Sequence, residues 1–593
     1  MKKSLLVFSA FILLTVLFTY PVIFNLSGSI YWPLRGTDVE GGLYGNWWAK
    51  IANSKHLNPD KAILVNYPFG NDYSKLPKSL WPILMQGLSC FTNDIAAQNI
   101  VNLLSFILTG IFGYYLVRHL TGSGLAGFFS GTIIAFCPYH INKIWEHPTL
   151  AHIQLVLLYI WMLLMLFEKR TFKYIILSAL SLFLIVSFDF YSGYFISLTT
   201  IGVVAFVFFY GWQEKNKDKK LFYKDFNFLF LSVCSAVLAL VMFSPFLIPI
   251  LKGIFFSPKV GLNKDMYARP FSDLFFQSAR PLSYLLPAVV NPVLSGITMI
   301  FKGTIFYGRG TIEHTLYLGW TPLALAWIAV KRIKKNYQLS AISYQLKNKV
   351  FYINLFFFIA IFAFVFSMPP YFNFGIFKLP MPSFFMYKIL PMFRAYARFG
   401  AIVMLAVSVL AGFGLKFILD KQKSKARRYL IAGMFCALVL FEFNNMPPLR
   451  VTDVSKAPDV YKWLSKQPGD LVIAEYPMSS YLEHLDYGFN QRYHLKKMIN
   501  GAIPGAPGWE LKKKIAKISS SETAGILKFI GVKYVILHLN RYRSGEDKDA
   551  VDIIGEIPDL KNNPDFKLAI EFPDEQVFEV IAKPINIDLT IKE

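Results

Sequence analysis

"IVNLLSFILTGIFGYYLV", residues 100–117, is a predominantly apolar run that carries no charge. At 1.5 Å per residue in a helix it reaches across most of a hydrocarbon layer roughly 30 Å thick. Gly110 and Gly113 do not count against it, because glycine is common in membrane helices. Arg118 and His119 follow at once. The fold depends on whether this segment is alone or one of many.

It is one of many. Working outward, similar runs occupy Leu5–Phe24, Ile100–Val117, Leu125–Phe136, Leu150–Phe167, Tyr174–Phe188, Tyr194–Tyr210, Phe228–Leu251, Tyr317–Val330, Phe351–Phe366, Phe399–Leu419 and Tyr429–Phe443. The spacing therefore predicts an α-helical polytopic membrane protein with about eleven transmembrane helices. Leu282–Ile300 is broken by Pro287, Asn291 and Pro292 and reads as a re-entrant or surface helix. Composition agrees: 54% of the 593 residues are hydrophobic, and the mean hydropathy is +0.42. The first run is longer than the apolar core of a signal peptide and no small-residue cleavage site follows it, so an uncleaved helix is expected. Cys90, Cys137, Cys234 and Cys436 lie far apart, in or beside apolar runs. They read as small buried residues, with neither a disulfide framework nor a zinc site.

The net charge of +24 raises the question of nucleic acid, and its distribution answers it. With Lys2 and Lys3 inside, the alternate short loops "VRHLTG", "EKRTFK", "QEKNKDKKLFYKD", "KRIKKNYQLSAISYQLKNK" and "KFILDKQKSKARR" are basic. Retention of these loops on the cytoplasmic side accounts for most of the excess, so no nucleic-acid partner is needed. The amino terminus is expected inside and the carboxyl terminus outside. A twelfth span would invert every later loop.

Acids, histidines and arginines gather in the opposite loops. "RGTDVEGGLYGNWW", residues 35–48, places Asp38 and Glu40 in a glycine-rich stretch, before an expected short interfacial helix anchored by Trp47 and Trp48. A lone acid there is ordinarily just solvated. A carboxylate held by such a helix is also placed to accept the proton of an acceptor hydroxyl. "PYHINKIWEHPT" and "LAHIQL" hold His140, Glu146, His147, His152 and Gln154. The i,i+5 spacing of His147 and His152 does not put both on one helix face, so contacts to a sugar or helix capping are expected ahead of a metal. Asp189, in "SFDFYSGY", closes an apolar helix, where an ionisable group is a functional candidate or a turn acid. In "PMFRAYARFG", Arg394 and Arg398 are i,i+4 and are expected to share a helix face, a pair suited to a phosphate. No P-loop, GxSxG, kinase or dinucleotide fingerprint occurs.

Residues 444–593 change character: "APDVYKWLSKQ" reads as a helix, "DLVIAEYP", "KYVILHL" and "FKLAIEFP…QVFEVI" as strands, and "WELKKKIAKISSSETAGILKFI" as one or two helices. The expected organisation is a membrane core, 1–443, with outer loops 25–99, 252–316 and 367–398. A small extracytoplasmic α/β domain, 444–593, follows it.

These features together resemble a known group. The acidic first outer loop, "NYPFGNDYSKL", "NIVNLLSFILTGIFGYYLVRHLTGSGLAGFFSGTIIAFCPYHINKI", "HIQL", "SGYF", "YLGWTPLALA" and "PMFRAYARFGAIVMLAVSVLAGFGL" are similar to bacterial membrane proteins of the GT-C-type glycosyltransferase superfamily. So are "VYKWLSKQPGDLVIAEYP", "INGAIPG" and "GVKYVILH" in the tail. The resemblance implies transfer of a sugar from a polyprenyl-phosphate donor to a glycan, lipid or protein acceptor outside the cytoplasmic membrane. It implies a first-loop acid as base, which maps onto Asp38, although the usual paired acids are here Asp-Val-Glu. Glu40 then supports Asp38 or binds a cation; no resident metal is expected, and a divalent cation is the one cofactor left open. Arg394 and Arg398 would hold the phosphate, His152 and Asp189 would line the pocket, and Trp47, Trp48, Tyr191, Tyr194 and Tyr396 would stack on sugars. A flippase for lipid-linked glycans and a non-catalytic envelope scaffold are the alternatives. The first calls for ionisable groups at mid-span and inverted repeats, which are not seen.

Overall fold

The structure, a computed structural model, describes residues 2–589 except 32–36, 75–77, 214–226, 257–268, 309–312, 337–343, 445–449, 479–480, 503–507 and 545–556. The basic loop expected at 213–225 therefore lies almost wholly outside the described residues. The first ten helices are α1 (Lys2–Phe18), α2 (Asp38–Ser54), α3 (Leu80–Ser89), α4 (Asp94–Thr121), α5 (Gly124–Ala135), α6 (Pro138–Glu146), α7 (Ile153–Lys169), α8 (Phe172–Phe188), α9 (Phe190–Gln213) and α10 (Asn227–Phe256). The bundle continues with α11 (Trp320–Asn336), α12 (Tyr344–Ser367), α13 (Gly400–Leu419) and α14 (Lys425–Glu442). Each of the eleven expected apolar runs carries a helix.

This is an integral membrane protein. Five described helical stretches are long and apolar enough to cross a bilayer: Asp94–Thr121, Phe190–Trp212, Asn227–Ile248, Asn348–Ser367 and Tyr396–Leu419. The pair α5 and α6, bent by 40°, makes a sixth. That bend corrects the expected loop after Phe136. Pro138 stops α5, yet proline is welcome in the first turn of a helix because its missing N–H has no partner there, so α6 starts on it.

Small residues let the helices close on one another. A Cβ at Gly131 of α5 would lie 2.4 Å from the Gly110 carbonyl of α4, and one at Gly414 of α13 would lie 2.0 Å from the Leu325 carbonyl of α11. Backbones meet directly at both places, and α13 is buried along nearly its whole length. Leu282–Ile300 is neither a re-entrant nor a surface helix. It forms two short pieces, 281–284 and 295–299. Asn291 stops it from continuing: its Oδ1 accepts the Leu294 N–H at 2.8 Å, and its Nδ2 donates to the Glu442 carbonyl at 3.0 Å. Cys90 is exposed, against expectation, because it caps α3 at the surface.

The tail begins after α14. A strand at Ser29–Tyr31 (β1) pairs antiparallel with Val451–Asp453 (β2), Ile30 opposite Thr452. The main sheet uses Val472–Tyr476 (β3), Lys497–Met498 (β4), Val532–His538 (β5), Phe566–Glu571 (β6) and Glu575–Val580 (β7), in the order β6-β7-β5-β3-β4. Strands β3, β4 and β5 run parallel; β6 and β7 are antiparallel additions. One face is covered by the helices Gly508–Ile515 and Thr523–Ile530, packing Leu511, Ile515, Leu527 and Ile530 on Ala474, Val535 and Leu537. The other face carries Tyr487 of helix α15 (Tyr481–His494) and Tyr461, and with them Tyr44, Trp48 and Ala52 of α2.

That second face corrects the division expected at 443. Leu64 accepts the Met498 N–H at 2.9 Å, and Asn66 and Tyr67 donate to Asn500 and Met498 at 2.7 and 3.0 Å. The segment between α2 and α3 thus extends the tail's sheet. Loop and tail form one folded unit on one side of the bundle.

Candidate functional site

Thr37 is the residue before α2, and Asp38 is the first residue inside it. Glu40 turns back: its Oε2 accepts the Thr37 backbone N–H at 2.7 Å, and the side chain is fully buried. This is the acid half of a capping box, which satisfies a helix-end donor. Asp38 remains 58% exposed at the positive end of the helix dipole. The two acids, one residue apart, are thus turned to different tasks. The tryptophans are not interfacial anchors. Trp48 is 2% exposed and donates its Nε1–H to the Pro59 carbonyl at 3.0 Å, and Trp47 packs beside it against the tail.

Asp38 Oδ2 accepts from His147 Nδ1 at 2.6 Å. Because an ionised carboxylate only accepts, Nδ1 carries the proton. His147 sits where α6 ends and Pro148 breaks the chain. Its Nε2 lies 3.8 Å from Glu313 Oε1. That same oxygen accepts from Arg398 Nε at 3.0 Å and from Arg398 Nη2 at 2.8 Å. Glu313 Oε2 lies 3.2 Å from Lys143 Nζ. Asp38, His147, Glu313, Lys143 and Arg398 therefore form a continuous chain of polar groups drawn from four loops or helix ends. Glu146, half-buried at the end of α6, lies within the electrostatic reach of Lys143, Asp38 and Glu313.

The electrostatics follow from the contacts. Burial pushes the Asp38 carboxyl up, but the His147 hydrogen bond and the charges of His147, Arg398 and Lys143 outweigh it and hold it below its ordinary value. Burial also lowers His147, with Lys143 and Arg398 adding to the effect against the pull of Asp38. Glu313 is buried, which would raise it; Arg398 and Lys143 overcome that and hold it well below the carboxylate range. The arrangement keeps two carboxylates ionised beside a neutral imidazole.

Asp189 caps α9: its Oδ1 accepts the Ser192 N–H at 2.6 Å, and its Oδ2 accepts from Thr149 at 3.3 Å. It ties the segment after His147 to the bundle. The Tyr191 ring lies 4.5 Å beneath the Arg398 guanidinium, and its hydroxyl donates to the Met392 carbonyl at 3.3 Å. His152 is buried, its ring tilted against that of Trp81 with centroids 5.0 Å apart, and Gln154 donates to its Nδ1 at 2.9 Å. It lines a small cavity with Tyr139, Ser192 and Arg398. His140 bonds the Ala135 carbonyl at 2.8 Å and stacks on Phe106, a core role. The Tyr194 ring stacks on Phe393, and Tyr396 is fully buried.

The arginines do not share a helix face. Arg394 precedes the short 3₁₀ turn Tyr396–Phe399 in irregular chain and pairs with Asp273, while Arg398 pairs with Glu313. Lys143 and Glu313 were not singled out by sequence reasoning. Lys143 carried a weak signal, a basic residue on the side where basic residues are scarce, and Glu313 only that of one more acid in the loops where acids gather. Among the described residues no three His, Cys, Asp or Glu side chains are grouped to hold a metal ion.

Residues 83–441 match the family model described as a domain of unknown function, DUF6311. No curated protein matches the sequence. Among solved structures, the arabinofuranosyltransferase AftD from Mycobacteria superposes with a TM-score of 0.57 at 12% identity, over 98% of this chain and 40% of that one. The archaeal oligosaccharyltransferase AglB from Archaeoglobus fulgidus, solved with an inhibitory peptide and a dolichol-phosphate, gives 0.53 at 12% identity, over 92% of this chain and 70% of that one. Its apo form gives 0.52 at 13%. At these identities the likeness is one of fold, shared with an oligosaccharyltransferase and an arabinofuranosyltransferase.

Proposed function

We propose that this chain, which belongs to the DUF6311 family, transfers a hexosyl or pentosyl unit from a polyprenyl-phosphate donor. The acceptor is an envelope glycan, lipid or protein at the outer face of the cytoplasmic membrane. The observation that carries this reading is the Asp38–His147–Glu313–Arg398–Lys143 chain, which puts an open carboxylate and two buried cations at one end of a GT-C bundle. In the reaction the acceptor oxygen bonds to the anomeric carbon as its proton passes to the free oxygen of Asp38. The bond from that carbon to the phosphate oxygen breaks, and the lipid phosphate leaves with the electron pair. Arg398 and Lys143 meet the charge it gains. His147 holds Asp38 in place and ionised. Glu40 serves the helix and not the proton. That AglB was solved with a dolichol-phosphate supports a lipid-phosphate donor.

In this reading all eleven apolar helices cross, with Lys2 and Lys3 inside and the tail outside. The β1–β2 pairing supports it, because loop and tail must lie on one side and ten of the eleven helices fall between them.

The test is a lipid-extract mass-spectrometric comparison of a deletion strain carrying wild type, Asp38→Asn or empty vector. Asp38→Asn is expected to lose about 10²–10⁴-fold in transfer at normal protein level, with the donor lipid accumulating and one glycan a sugar short. Wild-type transfer by Asp38→Asn would remove the base from the scheme.

A further inference from the structure

Lys143 is the least expected group in the molecule. Its side chain is 1% exposed, yet among the described residues no acceptor meets its Nζ in hydrogen-bonding geometry. The Tyr139 ring lies 5.7 Å away, and Glu313 Oε2, at 3.2 Å, is itself without a hydrogen bond. Buried polar groups are nearly always satisfied, and an ammonium carries three donors. Arg398 meanwhile directs both its Nε and its Nη2 at the one oxygen Oε1. The cations therefore surround a carboxylate that fills the space between them without completing the bonds of Lys143.

We propose that Glu313 is a resident counter-anion in the donor's phosphate seat, displaced when the glycosyl phosphate binds and returning as the lipid phosphate leaves. This rests on the function proposed above. A glycosyl phosphodiester carries one negative charge, as the carboxylate does, so the exchange leaves the buried charge unchanged. Arg398 commits its Nε and Nη2 to Glu313 Oε1, so a phosphate gains those donors only when the carboxylate gives them up. A tetrahedral phosphate also offers oxygens on more sides than a planar carboxylate, which matches the donors left open on Lys143. After transfer the freed lipid phosphate can carry a second charge. Glu313 then competes for the same two cations and speeds release of the product.

The experiment measures binding of undecaprenyl phosphate, with undecaprenol as control, to the full-length protein in nanodiscs. Glu313→Gln is expected to bind the phosphate about tenfold tighter than wild type, because a competing charge is gone, and Lys143→Met about tenfold weaker. Glu313→Asp keeps the charge but draws it back by one methylene, and it should tighten binding in the same direction; it decides the matter if Glu313→Gln does not fold. If wild type binds the phosphate and the Glu313 variants bind it equally or more weakly, Glu313 is a structural cross-link and the inference falls alone. If neither wild type nor any variant separates the phosphate from the alcohol, the lipid-phosphate donor itself is wrong.

Discussion

His147 and His538 show how the same side chain acquires opposite linkage from its surroundings. His147 is lowered by burial and by two nearby cations, so the protein holds it neutral, and its partner Asp38 lies below its usual value. The depressed carboxyl stabilises the fold above its unfolded-state pKa, and that contribution is lost as pH falls through the folded one. In the tail, burial lowers His538, but Glu475, at 2.7 Å, and Glu575 outweigh it and hold it raised. Its stabilisation is complete below an unfolded pKa of about 6.5 and is lost as pH rises through the higher folded value. The melting temperature of wild type should therefore exceed that of Glu475→Gln most at pH values below about 6.5, with the gap narrowing toward alkaline pH. A gap that stays constant across that range would show that the pair contributes no proton linkage. At this scale the sequence disclosed Asp38, His147 and Arg398 as candidates. It did not disclose Glu313 and Lys143, because their partnership closes across 170 residues of chain, and no local pattern records it.

Helix packing is decided by where the chain can bring backbone against backbone. A Cβ at Gly414 meets the Leu325 carbonyl and its carbon within 2.6 Å, and neither can rotate away. Gly414→Ala should cost about 1–3 kcal/mol by forcing α13 from α11. Gly433→Ala in α14, where nothing lies within 4 Å, should instead be neutral or stabilise by up to roughly 1 kcal/mol. Thermal unfolding in one detergent compares the two; equal effects would mean that the contact carries no strain. Most elements were legible: each of the eleven apolar runs carries a helix and alternation predicted β3, β5, β6 and β7, whereas α2 was expected only as a short interfacial helix and α15, β2 and β4 were not read. The kink at Cys137–Pro138 was not legible, because proline reads as a stop whether it ends one helix or opens the next. Yet that kink starts α6, which delivers Lys143 and His147 to the site.

The whole molecule joins a membrane bundle to a folded unit assembled from two distant parts of the chain. Trp48 is the bolt: it is buried against Tyr461, Ile473 and Tyr487 of the tail. Trp48→Ala should destabilise this joint by about 3–5 kcal/mol and raise the rate at which protease cuts within 444–593. If the tail were a free-standing domain, its cleavage would not change. Since Asp38 begins the helix that carries Trp48, the same substitution should lower transfer without touching the site. Composition, the period of the apolar runs and the sidedness of charge were sufficient for a polytopic membrane protein with acids and arginines on one side. Those properties are local or additive along the chain, so a linear reading recovers them. Which acid is spent on a helix cap, which arginine meets which carboxylate, and that the first loop completes the tail's sheet were decided by tertiary structure alone. Each of those depends on which groups, remote in sequence, exclude water from one another, and that is a property of the packed chain and not of any segment of it.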